Sequence, residues 1–86
     1  MYERGNIFVF ESEYRQIGAK IMYFRKMKKY TQEELAFRAS ISASYLSRIE
    51  RGVYKKGLPI STLLPISTLM KIAKALEVEL SAIFEK

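Results

Sequence analysis

The stretch TQEELAFRASISASYLSRIERG, residues 31–52, decides how the rest of the chain is read. Thr31 with Glu34 three residues later has the pattern of a capping box. The hydroxyl accepts from the N–H of the third helical residue, and that residue's carboxylate reaches back. Tyr30, just before, stands in the place of a hydrophobic staple. Apolar residues then recur at Leu35, Ala36 and Ala39, and again at Leu46 and Ile49, spacings that place each set on one helix face. Between the sets, Ser40-Ile41-Ser42 reads as a tight turn, with Ser42 as N-cap of the next helix and Gly52 as the residue that ends it. Each helix is too short to be stable alone in water. The flanking segments must therefore hold the pair in place.

Upstream, residues 12–29 read as a helix, with Ser12 as N-cap, Glu13 in the first turn, and Ile17, Ile21 and Phe24 at helical spacing beside Tyr14. Residues 7–10, IFVF, are β-branched and aromatic and are bounded by Gly5-Asn6 and Glu11. They read as a short strand or arm within residues 1–11, ahead of a domain at 12–86. A lone strand is unstable, and no matching strand is evident elsewhere, so these residues must pack as an extended arm or pair with something, which leaves a partner subunit open.

Downstream, a basic loop with Lys55 and Lys56 leads into an exact repeat, LPISTL at 58–63 and again at 64–69. Pro65 suits the start of a helix and disfavours helix at Leu64. The fourth helix is therefore expected over 65–76, burying Leu69, Ile72, Ala73 and Leu76. Six residues advance a helix by about 600°, about 120° short of two turns. The two copies cannot face the same core on one straight helix, so one is surplus, as an extra loop, a kinked turn or an apolar contact surface. A fifth helix from Leu80 should close the core with Val78, Leu80, Ile83 and Phe84. The expected fold is all-α, a compact five-helix domain.

Composition bounds the chemistry. At 86 residues and 49% hydrophobic, the chain fits one small domain rather than a disordered segment. It has no cysteine and no histidine, which removes disulfides, thiolate and imidazole catalysis and nearly all transition-metal sites. No apolar run approaches the roughly 18–20 residues needed to span a bilayer, and the N-terminus is a poor signal peptide. A cytoplasmic protein with no membrane association is expected. The net charge of +6 is unevenly spread. Residues 1–13 hold one base against three acids, residues 14–57 eleven against three, and residues 58–86 three of each. A solvated face explains dispersed charge; this concentration favours a polyanionic partner.

In order along the chain, IGAKIMYFRK, TQEELA, SRIERG and LMKIAKALEV resemble the Cro/repressor-type helix-turn-helix family, also called the Xre family. The resemblance covers roughly residues 17–84 and places the helix-turn-helix on helices two and three. It implies double-stranded DNA as partner and a sequence-specific transcriptional regulator, acting as a homodimer on a palindromic operator. Carried over residue by residue, it puts Ser42, Ala43, Ser44, Ser47 and Arg48 at base edges. There Arg48 suits guanine O6 and N7, the serines suit any base, and Ala43 suits a thymine methyl. It puts Gln32, Tyr45, Lys55 and Lys56 at the DNA backbone, with Tyr45 alternatively packing against helix two. It makes Arg25 and Glu50 a structural ion pair. Two departures stand out: Ser40 occupies a turn position usually held by glycine, and the loop before the fourth helix is longer than usual.

Two other function classes fit less well. An enzyme would need carboxylates or lysines in a pocket. Glu33, Glu34 and Glu50 are absorbed by capping, surface and ion pairing, Glu77, Glu79 and Glu85 lie on a short tail, and there is no glycine-rich phosphate loop. No enzymatic activity, cofactor or metal is expected. An antitoxin or transcriptional bridging module, acting mainly through protein partners, would use the apolar NIFVF arm and the surplus LPISTL copy but has no need of the basic segment. A membrane-bound amphipathic helix is disfavoured because the stripe of the first helix is needed by the core.

Overall fold

The computed structural model describes the backbone of residues 3–53 and 63–85 and the side chains of residues 12–53 and 63–85. Among them are five helices: α1 (Glu3–Met27), α2 (Gln32–Ala39), α3 (Ala43–Arg51), α4 (Ile66–Leu76) and α5 (Leu80–Phe84). Each contributes to one core, in which Ile21, Leu35, Leu46, Ile49, Ile72, Leu76 and Ile83 are the largest fully buried side chains. Burial of each such aliphatic side chain contributes on the order of 1.5–3 kcal/mol, enough in sum to hold α2 and α3, which would melt if isolated.

Sequence and structure differ at the N-terminus. No strand forms at residues 7–10; α1 begins at Glu3 and passes through residue 12 without a break. Ser12 is therefore inside a helix and caps nothing. The physical reason is the unbroken spacing of Ile7, Phe10, Tyr14, Ile17 and Ile21, which suits a helix, with Glu3 favourable at the positive end of its dipole. A lone strand would have had no partner for its backbone groups.

The α1–α3 contact depends on a missing side chain. A Cβ placed on Gly18 would lie 2.0 Å from the carbonyl oxygen of Ile49, so only glycine allows the two backbones to approach this closely. Thr31 caps α2, its Oγ accepting from the N–H of Glu34 at 3.0 Å. The reciprocal half of the capping box is replaced: the Glu34 carboxylate lies 3.6 Å from Arg38 instead. Ser42 caps α3, accepting from the N–H of Tyr45 at 3.1 Å.

Helix ends are where this chain is unusual. Lys29, Ser40 and Glu77 all adopt left-handed backbone, with φ of 62°, 59° and 60°, whereas Gly52 at φ 69° closes α3. Each of the four turns is locked by a bond from the following residue back to the helix. The N–H groups of Tyr30, Ile41, Val53 and Val78 donate to the carbonyls of Arg25, Ala36, Arg48 and Ala73 at 3.2, 2.9, 3.0 and 3.0 Å. Among the described residues, three of the four left-handed caps thus use the glycine geometry without glycine.

Pro65 is the N-cap of α4 rather than its first helical residue. Leu64, just before it, is buried and joins the core, a role that the proline had obscured in the sequence. Phe84, expected inside, is 44% exposed, and Ile83 alone of that pair fills the core. The second LPISTL copy thus supplies Leu64 and Leu69 to the interior. Of the first copy, only Leu63 lies within the described residues, where it packs against the core edge.

Candidate nucleic-acid interface

The site is built on α3. Leu46, Ile49 and Glu50 form its buried face. The opposite stripe, at helical spacing, carries Ser44, Arg48 and Arg51, all exposed, with half-buried Ser47 between them. Ala43 is half-buried at the first turn, and Ser42 is exposed but already engaged as the cap. Arg48 lies alongside the Tyr45 ring, 5.8 Å from its centroid.

The acid on this helix is removed from the outward face. The Glu50 side chain is 0% exposed and accepts three hydrogen bonds: from Arg25 Nε at 2.8 Å, Arg25 Nη2 at 2.9 Å and Gln32 Nε2 at 3.0 Å. Arg25 also donates from Nη1 to the Tyr30 carbonyl at 2.9 Å. A buried carboxylate is tolerated only when paired and hydrogen-bonded, and this fork–fork geometry supplies both. The network ties α1, the start of α2 and α3 together, and leaves the outer face of α3 with cations and hydroxyls only.

Several sequence-assigned residues prove to be partly committed. Gln32 spends one of its two amide N–H groups on Glu50. The Tyr45 hydroxyl donates to the Leu63 carbonyl at 2.9 Å, which uses its single proton and makes it a tether for the linker before α4 rather than a phosphate donor. Burial pushes the nearby Tyr14 phenol up from its ordinary value, with Tyr45 adding to the rise and Arg48 opposing it. Lys55 and Lys56 lie outside the described residues.

Sequence reasoning missed Arg51. Its Nε donates to both the Ser47 carbonyl and the Ser47 Oγ at 3.3 Å, laying the guanidinium along the outward stripe. The signal was available in the spacing 44, 47, 48 and 51, which continues one face past the N-terminal half of the helix. Among the described residues no group of acids could hold a metal ion, and no helix is long and apolar enough to cross a membrane.

A family profile for the helix-turn-helix matches residues 21–83. Two similar proteins are the HTH-type transcriptional regulator SlrR of Bacillus subtilis, 41% identical over 69 residues, and the immunity repressor protein of Bacillus phage phi105, 42% identical over 67 residues. These alignments take in 80% and 78% of this chain but only 41% of each relative, so the chain spans about two fifths of their length. A solved structure, the restriction-modification controller protein C.AhdI from Aeromonas hydrophila, superposes with a TM-score of 0.69 at 27% identity, covering 85% of this chain and 98% of that one. With its tight α2–α3 turn and the profile spanning most of its length, the chain belongs to the helix-turn-helix family, in its Cro/repressor or Xre branch.

Proposed function

We propose that this chain is a sequence-specific DNA-binding transcriptional regulator that works by binding and not by catalysis, as a cytoplasmic homodimer on a palindromic operator. The observation that carries the reading is the outward stripe of α3, where Ser44, Ser47, Arg48 and Arg51 stand free of any exposed carboxylate on their own helix. An α-helix of this kind fits a major groove, and arginine and serine are suited to base edges there. Arg48 is assigned to guanine, Ser44 and Ser47 to neighbouring bases, and Ala43 to a thymine methyl. Ser42 acts chiefly as the cap, with its hydroxyl at the groove rim. Gln32, Arg51, Lys55 and Lys56 are assigned to phosphates, which set register without reading sequence. The names of the relatives, a transcriptional regulator and an immunity repressor, support the same reading.

The test is a salt titration of binding to operator and to random duplex DNA. A dimer making about six phosphate contacts loses roughly 10³-fold in affinity between about 50 and 200 mM salt. Arg48→Ala should lose the preference at one base pair in each half-site while leaving the random-sequence affinity nearly unchanged. A flat salt response, or an Arg48→Ala protein with unaltered preference, would contradict the proposal.

A further inference from the structure

Much of the positive charge lies away from α3. Between α2 and α4 runs a groove of about 480 Å³ lined by Tyr30, Arg38, Ala39, Lys71, Lys74 and Ala75, together with Ser40 and Glu77. No residue of α3 contributes to it. Its cations are poorly compensated. Among the described residues Lys71 and Lys74 make no ion pair, and Arg38 has only the 3.6 Å approach to Glu34. Glu77, the one acid of the lining, is bonded to Lys28, outside the groove. The floor is aromatic and aliphatic: the Arg38 guanidinium stacks 4.6 Å from the Tyr30 ring centroid, beside Ala39 and Ala75.

The geometry points to a docking site for an acidic peptide segment of a partner protein, its carboxylates on Lys71, Lys74 and Arg38 and an apolar side chain against Tyr30. DNA is the poorer occupant. A duplex is a broad convex cylinder of closely spaced phosphates, some of which would be forced onto the Glu77 carboxylate. A peptide brings fewer charges, places them one at a time, and offers N–H groups to Glu77.

The groove is also linked to the DNA-reading helix. The Tyr30 ring lines it, while the Tyr30 carbonyl accepts from Arg25, which holds Glu50 on α3. A ligand that shifts Tyr30 therefore acts on the network that positions α3.

The probe is a phage-displayed library of random twelve-residue peptides, selected on the immobilised chain. The control is a counter-selection on Lys71→Glu/Lys74→Glu, a double variant outside the proposed DNA face. The expected result is enrichment of acidic peptides containing an aromatic or aliphatic residue. A synthetic copy of such a peptide should shift backbone amide resonances at Tyr30, Arg38 and Lys71, and lose about tenfold or more in affinity for the double variant. Lys20→Glu/Lys26→Glu, with the same charge change on α1, and Arg48→Ala should both bind it normally. Failure to enrich acidic peptides would overturn the proposal. So would equal loss in the α1 variant, which means unspecific attraction, or peptide shifts centred on Arg48 and Arg51, which means that the DNA face is the true polyanion site. Because Arg48→Ala impairs only DNA reading, failure of the docking site and failure of the DNA-binding reading give separate results.

Discussion

Replacing the three left-handed caps by glycine should stabilise this fold substantially. Lys29, Ser40 and Glu77 each hold φ near +60°, a region that costs a residue with a Cβ about 1–2 kcal/mol. Glycine avoids that cost but loses more backbone freedom on folding, about 0.5–1 kcal/mol, leaving a net gain of about 0.5–1 kcal/mol per site. Glu77→Gly also removes the contact with Lys28, so it should give the smallest gain of the three. The caps sit on different helices, so the effects should approximately add, to about 2 kcal/mol for Lys29→Gly/Ser40→Gly/Glu77→Gly. In a domain of this size that corresponds to a rise in Tm of roughly 8–16 °C. The assay is thermal and urea unfolding of the three single variants and the triple, with the m-value checked for constancy. A triple variant no more stable than the parent would refute the backbone geometry assigned to these turns.

Other perturbations probe the packing. Gly18→Ala should destabilise by about 1–3 kcal/mol or more, because its Cβ would lie 2.0 Å from the Ile49 carbonyl oxygen and must push α1 and α3 apart; urea unfolding measures it, and an unchanged midpoint would contradict the close crossing. Glu50→Ala should cost about 3–5 kcal/mol by stranding Arg25, whereas Arg25→Met/Glu50→Leu should recover most of that stability and still bind DNA less well, since Gln32 loses its partner. Deleting residues 58–63 should cost about 1–3 kcal/mol and leave the domain folded, because the second copy retains Leu64 and Leu69 while the half-buried Leu63 and its carbonyl's bond from Tyr45 are lost. If the surplus copy is a self-association surface, the same deletion should lower the mass seen by light scattering, and an unchanged mass at matched concentration would count against that role.

The helix-turn-helix was legible because its signals are local. Thr31, Ser42 and Gly52 mark their own helix ends, and the apolar spacings of α2 and α3 need no knowledge of what they pack against. The Arg25–Glu50 pair spans 25 residues, and only the family resemblance pointed to it; its third member, Gln32, became visible when α1, α2 and α3 were brought together. Residues 7–10 were misread because a short apolar run rich in β-branched and aromatic residues has no period of its own. The longer stripe through Tyr14 and Ile17 settles it as helix. Lys29 and Glu77 carried no cap signal, since the glycine that normally announces such a turn is missing. Leu64 was hidden by the proline after it, and the α2–α4 groove by its dependence on packing between residues about 40 positions apart in sequence.

The proposed role of α3 is to read base sequence in two symmetric half-sites. It is tested most directly by selecting binding sites from random duplex DNA with the parent chain and with Arg48→Ala in parallel. The parent should enrich an inverted repeat with half-sites about one helical turn apart, and Arg48→Ala should lose preference at one base pair, a guanine, in each half. Failure to enrich any site, or recovery of the same site by the variant, would contradict it.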